Sequence, residues 1–128
     1  MTSETPGTAY GRAIVVDDLA SVELGRAHPI VYDREIGMQL LYEDPESGEE
    51  HYLIRYPDGL GADAHRHTAA HTIVVLKGKL EVNDRVIGSG AYCHVPAGEV
   101  MRHGPAEGGS CLFVIIFHGS SDVHPVED

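Results

Sequence analysis

The chain has no tryptophan, only two cysteines, 9 basic residues against 20 acidic ones, and no long apolar run. Each scarcity excludes something. Its longest apolar stretches, IVVL at 73–76 and LFVIIF at 112–117, fall far short of the roughly 20 residues that span a bilayer. The opening MTSETPGTAY has neither the charged nor the apolar region of a secretory signal, so a soluble cytoplasmic protein is expected. A formal net charge of −11 opposes nucleic acid and anionic membrane surfaces, and neither is expected as a partner. Cys93 and Cys111 lie in apolar runs, where buried free thiols are expected rather than a disulfide.

Also missing is any helical period longer than one turn. Instead, short apolar runs alternate with turn signals: HPIVY at 28–32, MQLLYE at 38–43, HYLIRY at 51–56, IVVL, LEV at 80–82, AYCHV at 91–95 and CLFVIIF at 111–117. Between them fall DPESGE, PDGLGAD and the tight Asn83-Asp84 pair. Residues 13–16 add a short first strand, and 17–26 read as a loop or one helical turn. This grammar predicts an all-β chain, a barrel or sandwich. With 128 residues it forms one domain: a disordered tail over 1–9, the β domain over 10–119 and a polar tail over 120–128. IVVL and LFVIIF are apolar on both faces, as in strands covered by the core on one side and by another sheet or a subunit on the other.

The chemistry concentrates in GLGADAHRHTAAHTIVVLKG, residues 59–78. Alternate residues of a strand share a face, so His65, His67 and, without an intervening bulge, His71 point to one side. Imidazole is the commonest ligand of divalent transition metals, and clustered histidines are a metal signature where a lone one is ordinary polar surface. His28, His51, His118 and His124 are expected at the surface, and His94 packed or facing outward.

The spacing Gly59-x5-His65-x-His67-x3-His71-x6-Gly78 resembles the first motif of the cupin superfamily, with His71 where that family usually has glutamate. Gly90-x5-Pro96-x-Gly98 resembles the start of its second motif. Where that motif places its histidine, this chain has Met101; His103 lies two residues on, with the same strand parity. The following Gly104-Pro105 and GGSCLFVI resemble the endings of zinc-binding anti-sigma-factor cupins and aromatic-ketone dioxygenases. The resemblance implies a single antiparallel jelly-roll barrel with a metal inside, held by His65, His67, His71 and His103. His71 is expected to bind the metal itself or to hydrogen-bond a substrate or a neighbouring ligand.

Without a carboxylate ligand the site keeps the full +2 charge of a divalent ion, which favours anionic chelating substrates. The resemblance therefore implies an Fe(II) dioxygenase acting on a small β-diketone or hydroxy-aryl ketone with O2; Zn, Ni, Cu, Co and Mn also suit imidazole. The alternatives are an isomerase or lyase using the metal as a Lewis acid, and a non-catalytic zinc-binding or sensor cupin. Pocket walls by alternation are Tyr52, Ile54, Tyr56, Ile73, Val75, Met101, Phe113 and Ile115, too apolar and too short of indole for a large sugar. Glu99 is the carboxylate nearest the motifs and the candidate general base. Small single-domain cupins pair through sheet edges, so a homodimer is expected.

Overall fold

The computed structural model describes residues 13–60, 64–105, 109–120 and 123–125. Among these the strands are β1 (Gly25–Ala27), β2 (Ile36–Glu43), β3 (Glu50–Tyr56), β4 (His65–His67), β5 (His71–Lys77), β6 (Lys79–Val82), β7 (Arg85–Gly88), β8 (Tyr92–Val95), β9 (His103–Pro105), β10 (Cys111–Phe117) and β11 (Val123–Pro125). The only helical element described is a 3-10 turn at Leu19–Ser21. A six-stranded sheet runs β1-β2-β3-β10-β5-β8, a three-stranded sheet β7-β6-β9, and β11 pairs with β4. Every ladder is antiparallel.

The run CLFVIIF becomes β10 at the centre of the large sheet because each face has a place to go. Cys111, Phe113 and Ile115 face inward and are 0–1% exposed. Phe113 stands opposite Ile54 and Val75, and Ile115 opposite Tyr52 and Ile73. These side chains meet Leu80, Val82 and Ile87 of the small sheet in one core. The alternate residues Leu112 and Val114 join Leu41, Leu53 and Leu76 on the outer face, under Leu19, Val22 and Leu24. The chain's own segment 19–24 therefore covers apolar surface outside the sheet, and the two-sided pattern needs no second subunit to explain it.

Several expectations differ from the structure. Residues 13–16 form no strand. HPIVY is a turn, with Tyr32 N–H donating to the Pro29 carbonyl at 3.1 Å; proline removes a backbone donor and disfavours ladder positions. Part of the segment expected as a polar tail forms β11, whose residues lie opposite His65–His67. Cys111 is buried and Cys93 half-buried, and both thiols are free.

Gly78, which ends the first motif, turns the chain from β5 into β6 at φ +75°, and a Cβ there would stand 2.3 Å from the Ser110 carbonyl oxygen. Gly98 is also left-handed, at φ +80°, but a Cβ there would meet nothing within 4 Å. Gly98→Ala should therefore cost only backbone strain, about 1 kcal/mol, whereas Gly78→Ala adds a backbone clash and should cost roughly 3 kcal/mol or more. Urea denaturation of the two variants checks this; equal losses would refute the steric argument.

Candidate metal centre

Strand β4 is three residues long, and its burial alternates: His65 and His67 are buried while Arg66 is exposed. Partners on both edges hold it extended. His65 N–H donates to the Met101 carbonyl and Met101 N–H to the His65 carbonyl, each at 2.8 Å, and Gly98 N–H donates to the His67 carbonyl at 2.9 Å. The other edge pairs with β11. Met101 and His103 share strand parity and are 1% and 3% exposed. Asn83, at φ 54° in the β6–β7 turn, clamps the backbone beside His103. Its side-chain oxygen accepts from Arg102 N–H at 2.9 Å, while its own N–H donates to the Arg102 carbonyl at 2.7 Å.

These constraints bring His65, His67 and His103 together, with one ring nitrogen of each within 4.8 Å of the others. The Nε2 atoms of His65 and His67 are 3.1 Å apart, near the spacing of two ligands each about 2.0–2.1 Å from one ion. Nδ1 of His103 lies 2.5 Å from the Tyr56 hydroxyl, which in turn bonds the Tyr32 hydroxyl. Tyr32 also reaches Nδ1, at 3.3 Å. That leaves Nε2 of His103 buried and without a hydrogen-bond partner, as are Nδ1 of His67 and both nitrogens of His71. Burying an unpaired polar group costs about 1–3 kcal/mol, and a cation would remove that cost for nitrogens facing it. The residues present thus fit a divalent transition metal held by the trio. With Nε2 of His103 turned to the ion, Nδ1–H donates to Tyr56, the outer partner that fixes tautomer and ring orientation.

His67, His71 and His103 are kept in the neutral, ligand-competent form. Burial, and then the neighbouring His71 and His65, hold His67 down at about 3. Burial pushes His71 down to about 4, with His65, His94 and His118 adding to it; a contact with the Ala69 backbone opposes the shift without forming a proper hydrogen bond. His103 is driven well below its ordinary value by burial and by His65, His67 and His71.

His71 stands beside the trio rather than within it: its ring centroid is 4.6 Å from that of His67 and 6.3 Å from that of His103. A cavity of about 210 Å³ opens on the trio, walled by Val31, Tyr32, Ile36, Met38, Ile54, Ile115 and Phe117 with Glu50 and Tyr52. Hollows of about 420 and 580 Å³ lie elsewhere on the surface, beside Arg26 and Arg55 and beside Tyr42 and His51, and none of the trio lines them. Of the walls expected from alternation, Tyr52, Ile54 and Ile115 line the cavity. Tyr56, Ile73, Val75, Met101 and Phe113 pack out of its reach, all at most 1% exposed. Glu99 is exposed on the turn after Pro96 and does not reach the cavity. The carboxylate on the wall is Glu50. Phe117 and Glu50 share parity with Ile115 and Tyr52, so alternation extended by one step reaches both. Tyr32 comes from the turn preceding β2 and has no such signal. Among the outer histidines, His94 and His118 share the Thr72 hydroxyl, at 3.0 and 2.7 Å; His28 bonds the Tyr32 carbonyl; His51 pairs with Glu49.

Two outcomes follow for metal binding and stability. His103→Ala should abolish stoichiometric metal content and Tyr56→Phe should weaken affinity by about 10–100-fold, while His94→Ala and His118→Ala should leave both unchanged, as measured by elemental analysis and competitive chelation. For the metal-free protein, the sign of the histidine shifts sets the pH response. The folded values lie below the unfolded value near 6.5, so stability is full above that pH and falls as pH drops toward 3–4. Each such histidine contributes at most about 1.4 kcal/mol per pH unit. Thermal melts of chelator-treated protein across this window check it, and a flat profile would show the imidazoles to be solvated.

The sequence pattern of the ChrR cupin-like domain matches residues 22–121. No curated protein sequence matches the chain. Among solved structures, an acetylacetone dioxygenase from Acinetobacter johnsonii superposes with a TM-score of 0.72 at 18% identity, covering 100% of this chain and 85% of that one. The polyketide cyclase RemF from Streptomyces resistomycificus gives 0.72 at 17%, covering 91% and 87%. A cupin-like protein from Thermotoga maritima gives 0.71 at 17%, covering 84% and 91%. At these identities the likeness concerns the fold, an all-β jelly roll. The match over residues 22–121, together with the three inward histidines, makes this chain a member of the ChrR cupin-like domain family.

Proposed function

We propose that the protein is an Fe(II)-dependent dioxygenase of small chelating carbonyl compounds, of the β-diketone or hydroxy-aryl ketone class. The observation that carries the proposal is the position of the trio: His65, His67 and His103 stand in the wall of an apolar cavity rather than in a sealed core. A catalytic ion needs an open position on its substrate side. The volume, about 210 Å³, is below the ~300–1,000 Å³ of drug-sized sites, which suits a small substrate. Bound there, a ferrous ion would supply Lewis acidity and access to O2 chemistry. The chain does the rest. Tyr56 and Tyr32 hold His103 in one tautomer, and Ile54, Ile115 and Phe117 exclude bulk water. Among the described residues no lysine or arginine lines the cavity, so an anionic substrate would find its countercharge at the histidines' ion. The existence of an acetylacetone dioxygenase among the similar folds supports this choice of substrate class.

A second reading, a closed zinc site of structural or sensory use, is favoured by His71. It is buried with both nitrogens unpaired beside His67, and a fourth imidazole would close a tetrahedral sphere. Protein reconstituted anaerobically with Fe(II) should consume one O2 per diketone cleaved across a panel of such ketones. Absence of uptake with all of them, with zinc retained at one ion per chain, would decide for the second reading. His71→Glu, by removing one unit of charge from the site, should weaken anionic chelators roughly tenfold without loss of metal; unchanged affinity would show that residue 71 does not influence the ion.

A further inference from the structure

We propose that Glu50 is the proton acceptor of this cavity, taking the acidic hydrogen that a chelating substrate must lose on binding, with Tyr52 positioning it. The assignment rests on the chelate-binding site just described and names the group that completes it. Glu50 opens β3, opposite Glu43 on β2 and Phe117 on β10, and shares the inward parity of Tyr52 and Ile54. It is the one carboxylate among the described residues lining the cavity that His65, His67 and His103 enter. One oxygen, Oε2, accepts a hydrogen bond from the Tyr52 hydroxyl at 2.9 Å. The Tyr52 ring is fixed in turn by edge contact with Phe117, at 6.2 Å between centroids.

The other polar groups on the wall do not fit the role. One nitrogen of each trio histidine would face the ion, Nδ1 of His103 is bonded to Tyr56, and Nδ1 of His67 is buried away from solvent. The Tyr32 hydroxyl is tied to Tyr56 and His103, and a neutral phenol is a weak proton acceptor. Tyr52 has its ionisation pushed up by burial first and by the bond to Glu50 next, so it stays a donor and pins the carboxylate. A chelating acid held at the trio's ion would therefore meet one carboxylate among the described residues of the cavity wall. The step balances: the probe's O–H bond breaks, an O–H bond forms on Glu50, and the negative charge passes from the carboxylate to the chelating oxygens. No electrons are transferred.

The test counts protons rather than turnover. Acetohydroxamic acid, which loses one proton on chelation, is titrated calorimetrically into zinc-loaded wild type and zinc-loaded Glu50→Gln, in non-coordinating buffers of different ionisation enthalpy at neutral pH. Glutamine can still accept the Tyr52 hydrogen bond, so the fold and zinc content should be preserved. Wild type should release close to zero protons per probe bound, and Glu50→Gln about one, with affinity lowered at least tenfold. Equal release from both proteins overturns the assignment of Glu50 alone. No binding to wild type overturns the chelate-binding site and this assignment with it. A measurement independent of variant folding is the infrared difference spectrum of wild type on probe binding. A protonated-carboxyl band that shifts in D2O supports the assignment, and its absence overturns it.

Discussion

Three imidazoles, those of His67, His71 and His103, keep buried nitrogens without a hydrogen-bond partner in an apolar interior, and much of the local architecture serves to keep them there. Neutral histidines tolerate burial better than charged ones, yet each unpaired nitrogen still carries a desolvation cost. The barrel meets part of that cost through the hydroxyl of Tyr56 on His103. The remainder falls on Nε2 of His103, on Nδ1 of His67 and on both nitrogens of His71 beside the trio. The site is thus defined as much by what it leaves unpaired as by what it pairs. An interior of this kind is stable because the surrounding strands are over-determined: β10 packs on both faces, and its register is fixed by β3 on one edge and β5 on the other.

Much of this was legible in the sequence, for a specific physical reason. Strand parity is insensitive to small errors in element boundaries, so His65, His67 and His103 could be placed on one side without knowing where β4 or β9 ends. The same parity carried Met101, the residue standing at the expected ligand position, into a buried bridge with His65. Apolar side chains were harder to divide between core and cavity. Ile73, Val75 and Phe113 alternate just as Ile54 and Ile115 do, and only the placement of Tyr32, Val31 and Ile36 across the barrel decides which of them a ligand could touch. That placement depends on HPIVY folding as a turn, which its β-branched content obscured. Glu99 drew attention by nearness in sequence to the second motif, whereas the cavity takes its carboxylate from the far end of β3.

The outer surface of the large sheet shows how one short segment alters the meaning of a hydrophobic pattern. Leu112, Val114 and Leu76 would form an exposed apolar patch without the segment 19–24, and such patches commonly mark association. Leu19, Val22 and Leu24 occupy that place instead. The 3-10 turn that delivers them is capped by Asp18, whose carboxylate accepts from Ala20 N–H at 3.0 Å and from the Ser21 hydroxyl at 2.7 Å.

The pairing of β11 with β4 couples distant stretches of chain. The backbone of Val123–Pro125 runs along the strand that presents two of the three converging imidazoles, so docking of this segment and occupancy of the site act on a common element. Coupling between two such events is reciprocal: whatever factor an ion gains from a seated β11, the seating of β11 gains from the ion. If an ion binds more tightly when β11 is seated, amide exchange at Val123 and His124 would slow on its binding, and the strand would report on a cluster that begins far earlier in the chain.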